Sequence, residues 1–309
     1  MHDGHSMTAH EHVSGERTRP RLAVAFALTA TIVIAQVIGA AVTGSLAVLT
    51  DAGHMLTDAA GLLMALAAAS AMTRPPTARR TWGLARLEIL AAGGQAAILL
   101  AVGLYALVEG VRRLVTPPAV ESTGVVLLGG LGLVASVASA LVLSAHRSHN
   151  LNMRAAFLEV VNDALGSLAV IVSGLVVAAT GWTRADAVAG LLISALIVPR
   201  AVTILRSAGS VLLETVPKGL DLDDVRAHLL GLPHVRAVHD LHASQIGTGL
   251  PVLSAHVVVA DDRFQSADTH ELLDSLQTCV REHFHVSVVH STFQLEPLSH
   301  ADHEDETHA

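Results

Sequence analysis

A helix needs about 20 apolar residues to cross the hydrocarbon core of a bilayer, and this chain supplies that length repeatedly. Residues 22–50, 89–108, 122–145 and 164–183 each run without one Asp, Glu, Lys or Arg. Two further stretches have the length but carry ionisable groups: residues 46–72 with Asp51, His54 and Asp58, and residues 185–205 with Asp186 and Arg200. The pattern predicts six transmembrane helices. Composition points the same way, since 15% of residues are charged and 51% hydrophobic, where a soluble chain carries roughly 25% charged residues. A net charge of −8 excludes a nucleic-acid footprint. The single cysteine, Cys279, excludes an internal disulfide and a Cys-rich metal site.

Lys/Arg bias sets orientation. With the N-terminus inside, the inner segments hold Arg17, Arg19, Arg21, Arg74, Arg79, Arg80, Arg86, Arg147, Arg154, Arg200, Arg206 and Lys218, and the outer segments only Arg112, Arg113 and Arg184. Both termini are therefore expected in the cytoplasm, with a bacterial inner (plasma) membrane suiting the compact loops. Four regions follow: a His-rich tail (1–21), a six-helix membrane domain (22–206), a cytoplasmic domain (207–298) and a polar tail rich in His and acids (299–309), expected to be disordered. Within the cytoplasmic domain, residues 221–231 and 266–283 have helical spacing, and 235–246, 252–260 and 286–295 alternate like half-buried strands. The order αββαβ predicts a small α+β sandwich.

Ionisable residues within a span mark function by default. His54 and Asp58, and Glu159 and Asp163, are both four apart, so each pair shares one helix face. Counted from residue 46, His54 lies about 12 Å and Asp58 about 18 Å along the second span. Counted from residue 151, Glu159 and Asp163 lie about 12 and 18 Å along the fifth, which runs the other way. In a core of roughly 30 Å, His54 then meets Asp163, and Asp58 meets Glu159, near the midplane. One imidazole and three carboxylates suit a four-coordinate divalent transition metal. Metal and protons compete for the same lone pairs, which is a physical basis for antiport. Helix-packing hydrogen bonds between neutral acids are the bland alternative. Asp51 either orients the ligands or lines the outer mouth.

These segments resemble the cation diffusion facilitator family, and its bacterial cobalt–zinc–cadmium resistance branch in particular. The matching stretches are GSLAVLTDAGHMLTDAAGL, WGLARLEIL, NLNMRAAFLEVVNDALGSLAVI, RADAVAGLLISALIV, LLETVP, VHDLHASQI, LSAHVVVA and HSTFQLE, in order over most of the chain. The resemblance implies a homodimeric six-span metal/proton antiporter with a metallochaperone-like cytoplasmic domain, exporting metal from the cytoplasm. It implies a transport site of His54, Asp58, Glu159 and Asp163. Glu159 stands where zinc-selective members usually carry His, and a carboxylate broadens the expected range from zinc towards cadmium, cobalt, iron or manganese. The resemblance also implies a cytoplasmic metal site of His239, His256, His290 and Glu296, with His242 and His270 as further candidates. The loop between spans 2 and 3 has neither His nor Asp, so the additional metal site some members carry there is expected to be absent.

His228, His234, His283 and His285 read as solvated surface residues. The expected partners are a divalent metal as transported substrate and possible regulatory ligand, protons, membrane lipids and a second copy of the chain, with no resident cofactor. Two other classes compete. A membrane-anchored metal sensor would not need the two intramembrane pairs, and an intramembrane metalloenzyme would need an open coordination position and a base, yet no span carries HExxH.

Overall fold

The computed structural model describes residues 31–144, 151–264 and 269–303. The tail at 1–21 lies outside the described residues, as do residues 304–309. Among the described residues six apolar helices come first: α1 (Thr31–Thr43), α2 (Leu46–Met72), α3 (Leu87–Val115), α4 (Ser122–Ser144), α5 (Leu151–Thr180) and α6 (Arg184–Leu212). Among the described residues, four helical stretches are long and apolar enough to cross a membrane: Leu87–Val115, Ser122–Leu141, Val160–Thr180 and Arg184–Leu212. The 27 residues of α2 span about 40 Å. Large side chains face outward, including Ile34, Leu127, Val134, Leu165, Leu175 and Leu192, while small ones pack inward. Ala40, Ala47, Ala189 and Ala201 share the interior with Val48, Leu99, Val125, Val170, Ile193 and Ile197. Small residues at helix contacts let backbones approach closely, which is how helices associate in lipid.

The sixth helix outruns the predicted span. It continues past the composition change near Ser207 to Leu212, and absorbs Pro199 in its interior. α4 packs along α5.

The described residues fall into two compact units. One comprises those up to Met64 together with Gly94–Thr203. The other comprises Ala65–Gly93 and those from Ile204 onward. In the second unit, α7 (Leu222–Leu230), β1 (Val235–Gly247), β2 (Leu250–Val259), the short α8 (Asp261–Phe264), α9 (Thr269–Glu282) and β3 (His290–Pro297) give the predicted αββαβ order, with α8 as a one-turn addition. Asp221 caps α7, its carboxylate accepting the Asp223 N–H at 2.9 Å. β1 and β2 are antiparallel and joined by a two-residue turn, in which Gly249 takes a φ of +73°. β3 lies parallel to β2 after the helical crossover. Val238, Leu241, Leu253, Ala255, Val257 and Val259 of the sheet pack with Val225 and Leu229 of α7 and Leu276 and Val280 of α9. Strand alternation therefore turns His256 and Glu296 to the face away from the helices.

Two boundaries differ from expectation. The third strand begins at His290 rather than residue 286, because Val286 and Val288 are used as core, with the Val288 N–H bonded to the Val280 carbonyl at 3.1 Å. The start of the polar tail is ordered rather than irregular. Leu298–His303 forms a 3₁₀ turn, and the Ser299 N–H reaches Asp261 at 3.4 Å.

Candidate metal centres

The first unit brings α2 and α5 together at three of the four predicted ligands. His54 Nε2 lies 3.2 Å from Asp58 Oδ2, one turn on in α2, and His54 Nδ1 lies 3.5 Å from Asp163 Oδ1 on α5. Each residue offers one ligand atom within 4.8 Å of the others, a spread a single ion can span. The His54 side chain is 7% exposed, against 23% for Asp58 and 19% for Asp163. The nitrogen is thus enclosed while the carboxylates keep an opening. Glu159 lies on α5, one turn before Asp163, and its side chain is outside the described residues.

Asp58 has a partner that sequence reasoning missed. Gln95 of α3 donates its Nε2–H to Asp58 Oδ1 at 3.5 Å. Gly61 makes room for it, since a Cβ there would overlap the Gln95 carboxamide. The available signal was Gln95 itself, the only carboxamide in the uncharged run 89–108.

Two other buried acids have structural partners. Asp51 accepts from Gln36 Nε2 at 3.1 Å and from Ser167 Oγ at 3.4 Å, joining α1, α2 and α5 inside the bundle rather than lining a mouth. Asp186 of α6 caps α2. Its carboxylate accepts the Leu46 N–H at 2.6 Å, the Ala47 N–H at 3.4 Å and the Ser45 hydroxyl, with Arg113 Nη1 at 4.0 Å. Arg113 also donates to the Gly44 carbonyl at 2.5 Å and to Glu109 at 2.9 Å.

In the second unit, His239, His256 and Glu296 form a second cluster with ligand atoms within 4.8 Å of one another. Glu296 bridges the two imidazoles, at 3.2 Å to His239 Nε2 and 2.8 Å to His256 Nδ1. The histidines pair across β1 and β2 in register. Gln294 donates to Glu296 Oε1 at 2.8 Å. The bulge between His239 and His242, with Asp240 at φ 49°, turns Asp240 to this face, contrary to strict alternation. Asp240 lies 3.7 Å from His256 Nε2 and 2.8 Å from His242 Nε2. Sequence reasoning passed over it, although it stands between the two histidines of the stretch HDLH.

His290 is not brought to this cluster. It lies at the other end of β3, six residues and about 20 Å from Glu296. There its ring meets Trp82 edge-on at 4.8 Å, in the same unit. His242 meets Asp240 at the edge of the cluster, and His270 is exposed at the start of α9.

The chain matches two family models: the cation efflux transmembrane domain over residues 22–213, and the cation efflux cytoplasmic domain over residues 217–298. It is 39% identical over 302 residues to the metal cation efflux system protein CzcD of Cupriavidus metallidurans, covering 98% of this chain and 93% of that protein. It is 38% identical to the zinc transporter ZitB of Escherichia coli, covering 96% and 93%. It is 32% identical to the cadmium, cobalt and zinc/H(+)-K(+) antiporter of Bacillus subtilis, covering 94% and 93%. A full-length run of charged pairs on apolar helices, followed by this small sheet domain, therefore has a settled place: the chain is an integral membrane protein of the cation efflux family, a family of transporters and not of enzymes.

Proposed function

We propose that the chain exports zinc, and with it related divalent cations such as cadmium and cobalt, from the cytoplasm in exchange for protons, as a homodimer in a bacterial inner membrane with both termini inside. The observation that carries this reading is the meeting of His54, Asp58 and Asp163 from two helices within the bundle. Two carboxylates and an imidazole meeting inside a membrane bundle are costly to hold there, and a visiting cation is what repays that cost. In this reading, Glu159 completes the set from one turn before Asp163. Zinc relatives and the antiporter named above support the metal class.

Coupling follows from the ligands. Carboxylate oxygens and imidazole nitrogens hold either a metal ion or protons, so loading from one side expels protons and reprotonation from the other expels metal. Gln95 keeps the Asp58 carboxylate aimed through both states. The His239–His256–Glu296 cluster is a cytoplasmic site that senses the same metal, with His290 serving instead as a packing partner of Trp82.

Metal-dependent proton flux in proteoliposomes carrying a pH gradient tests this. Wild type is expected to exchange zinc for protons, Asp163→Ala to lose at least 90% of that flux (about 1.4 kcal/mol or more in the rate-limiting step), and Glu159→His to narrow the range towards zinc. Flux in Asp163→Ala equal to wild type would overturn the assignment of the site.

A further inference from the structure

The second unit carries a third set of donor side chains, away from the His239–His256–Glu296 cluster. Asp224 and His228 stand one turn apart on α7. Cys279 and His283 stand one turn apart at the end of α9, where the His283 N–H still donates to the Cys279 carbonyl at 3.1 Å. All four border one open pocket between the two helices. The four-residue spacing on each of two neighbouring helices repeats the arrangement of the intramembrane pairs.

His228 is already set up as a ligand. Its Nδ1 lies 2.9 Å from the Asp224 carbonyl and 3.2 Å from the Asp224 carboxylate. A carbonyl oxygen only accepts, so Nδ1 carries the proton and the Nε2 lone pair is left for a cation. This is how metal-binding histidines are held in their tautomer. The His228 and His283 rings are 6.2 Å apart, centre to centre. Two imidazoles on one tetrahedral ion stand about 5 Å apart, given metal–nitrogen bonds of about 2.0–2.1 Å. Both rings are exposed, and the His228 ring also rests edge-on against Phe284 at 5.0 Å, so closing the remaining ~1 Å falls mainly to His283. Cys279, 2% exposed, borders the same pocket.

We propose that Cys279, His228 and His283 bind a soft divalent cation of the zinc–cadmium class on the helical face of the cytoplasmic domain, with Asp224 orienting His228 and water in the fourth position. One thiolate and two imidazoles are a donor set that selects such ions over magnesium or calcium. Binding forms a metal–sulfur bond and releases the thiol proton to solvent, with no change of oxidation state. Burial pushes the Cys279 thiol above its ordinary range, so affinity rises with pH as that proton becomes easier to displace. An ion bound here ties α7 to α9 across the pocket.

The single cysteine makes the test specific. Cadmium titrated into the detergent-solubilised full-length protein is expected to raise a saturable ultraviolet sulfur-to-cadmium charge-transfer band. Cys279→Ser is expected to erase it. His228→Ala and His283→Ala keep the sulfur and are expected to move the midpoint to roughly tenfold higher cadmium or more. Asp163→Ala is expected to keep the band unchanged, so this site and the transport reading fail independently. Absence of the band while cadmium binds elsewhere on the same wild-type protein overturns the proposal. So does a midpoint that is the same in both histidine variants as in wild type.

Discussion

Asp58, a predicted ligand, meets Gln95 of the neighbouring helix besides His54. The hydrogen bond from Gln95 at 3.5 Å helps aim its carboxylate, and such a bond contributes about 1 kcal/mol. Gln95→Leu keeps the side-chain bulk and is expected to raise the zinc KM for transport roughly fivefold with little loss of kcat. Gly61→Ala is expected to act in the same direction by displacing the same carboxamide. Transport assays at several zinc concentrations separate the two parameters, and an unchanged KM in both variants would remove Gln95 from the site. The pairing of His54 with Asp163 was legible in the sequence, because the four-residue spacing fixes a helix face and residue counting fixes a depth. Gln95 was not legible as a partner, since nothing in a sequence says which helix stands opposite Asp58. Asp240 was hidden for another reason: period-two alternation assigns it to the covered face, and only the bulge turns it to the histidines. His290 matched a family motif, but the five residues of extended chain between it and Glu296 keep it out of reach of the cluster.

Among the elements, α2 owes its start to a residue far along the chain. The Asp186 carboxylate takes up the Leu46 and Ala47 N–H groups, donors that a helix beginning leaves without intrahelical partners. Charged bonds of this kind contribute about 1.5–3 kcal/mol, and removing the acid also leaves Arg113 with one buried counter-charge fewer. Asp186→Ala is therefore expected to lower the thermal unfolding temperature of the detergent-solubilised protein, and Asp186→Asn to lower it less, because the amide oxygen still accepts. Equal Tm values for wild type and Asp186→Ala would show that the cap contributes nothing. The helices themselves were readable from apolar length, and the αββαβ order from period. The cap was not, because its two halves are separated by 140 positions. Nor was the late start of β3, because alternation reads Val286 and Val288 as strand when they serve as core.

For the whole molecule, acid–base behaviour outside the membrane has one clear prediction. Burial raises the Cys279 thiol pKa relative to an unfolded chain, so the folded domain resists forming the thiolate. The stability that neutral Cys279 permits is fully present below the ordinary thiol range and is lost as pH rises from there through the raised value of the folded state. In metal-free protein, maleimide labelling of Cys279 at neutral pH is expected to be well over tenfold slower than that of an exposed thiol. Its rate should climb at alkaline pH as the domain opens. Labelling as fast as a model thiol at neutral pH would contradict the burial. Family membership, the order of elements and the intramembrane pairs could all be read at this scale from apolar runs and short motifs. The pocket shared by Cys279, His228 and His283 could not, because it joins two helices whose histidines look, one at a time, like ordinary surface residues.

The Asp186 cap also has a mechanical meaning. It pins the Leu46 end of α2 to α6, and through Arg113 to α3, so tilting that keeps the cap intact must pivot there. On a rigid rod, displacement grows with distance from the fulcrum. His54 and Asp58 stand about 12 and 18 Å along the rod. A tilt of roughly 10° carries them through about 2 and 3 Å. So close to the fulcrum the geometry works as a fine adjustment screw: a change of angle becomes a displacement on the scale of a single coordination bond.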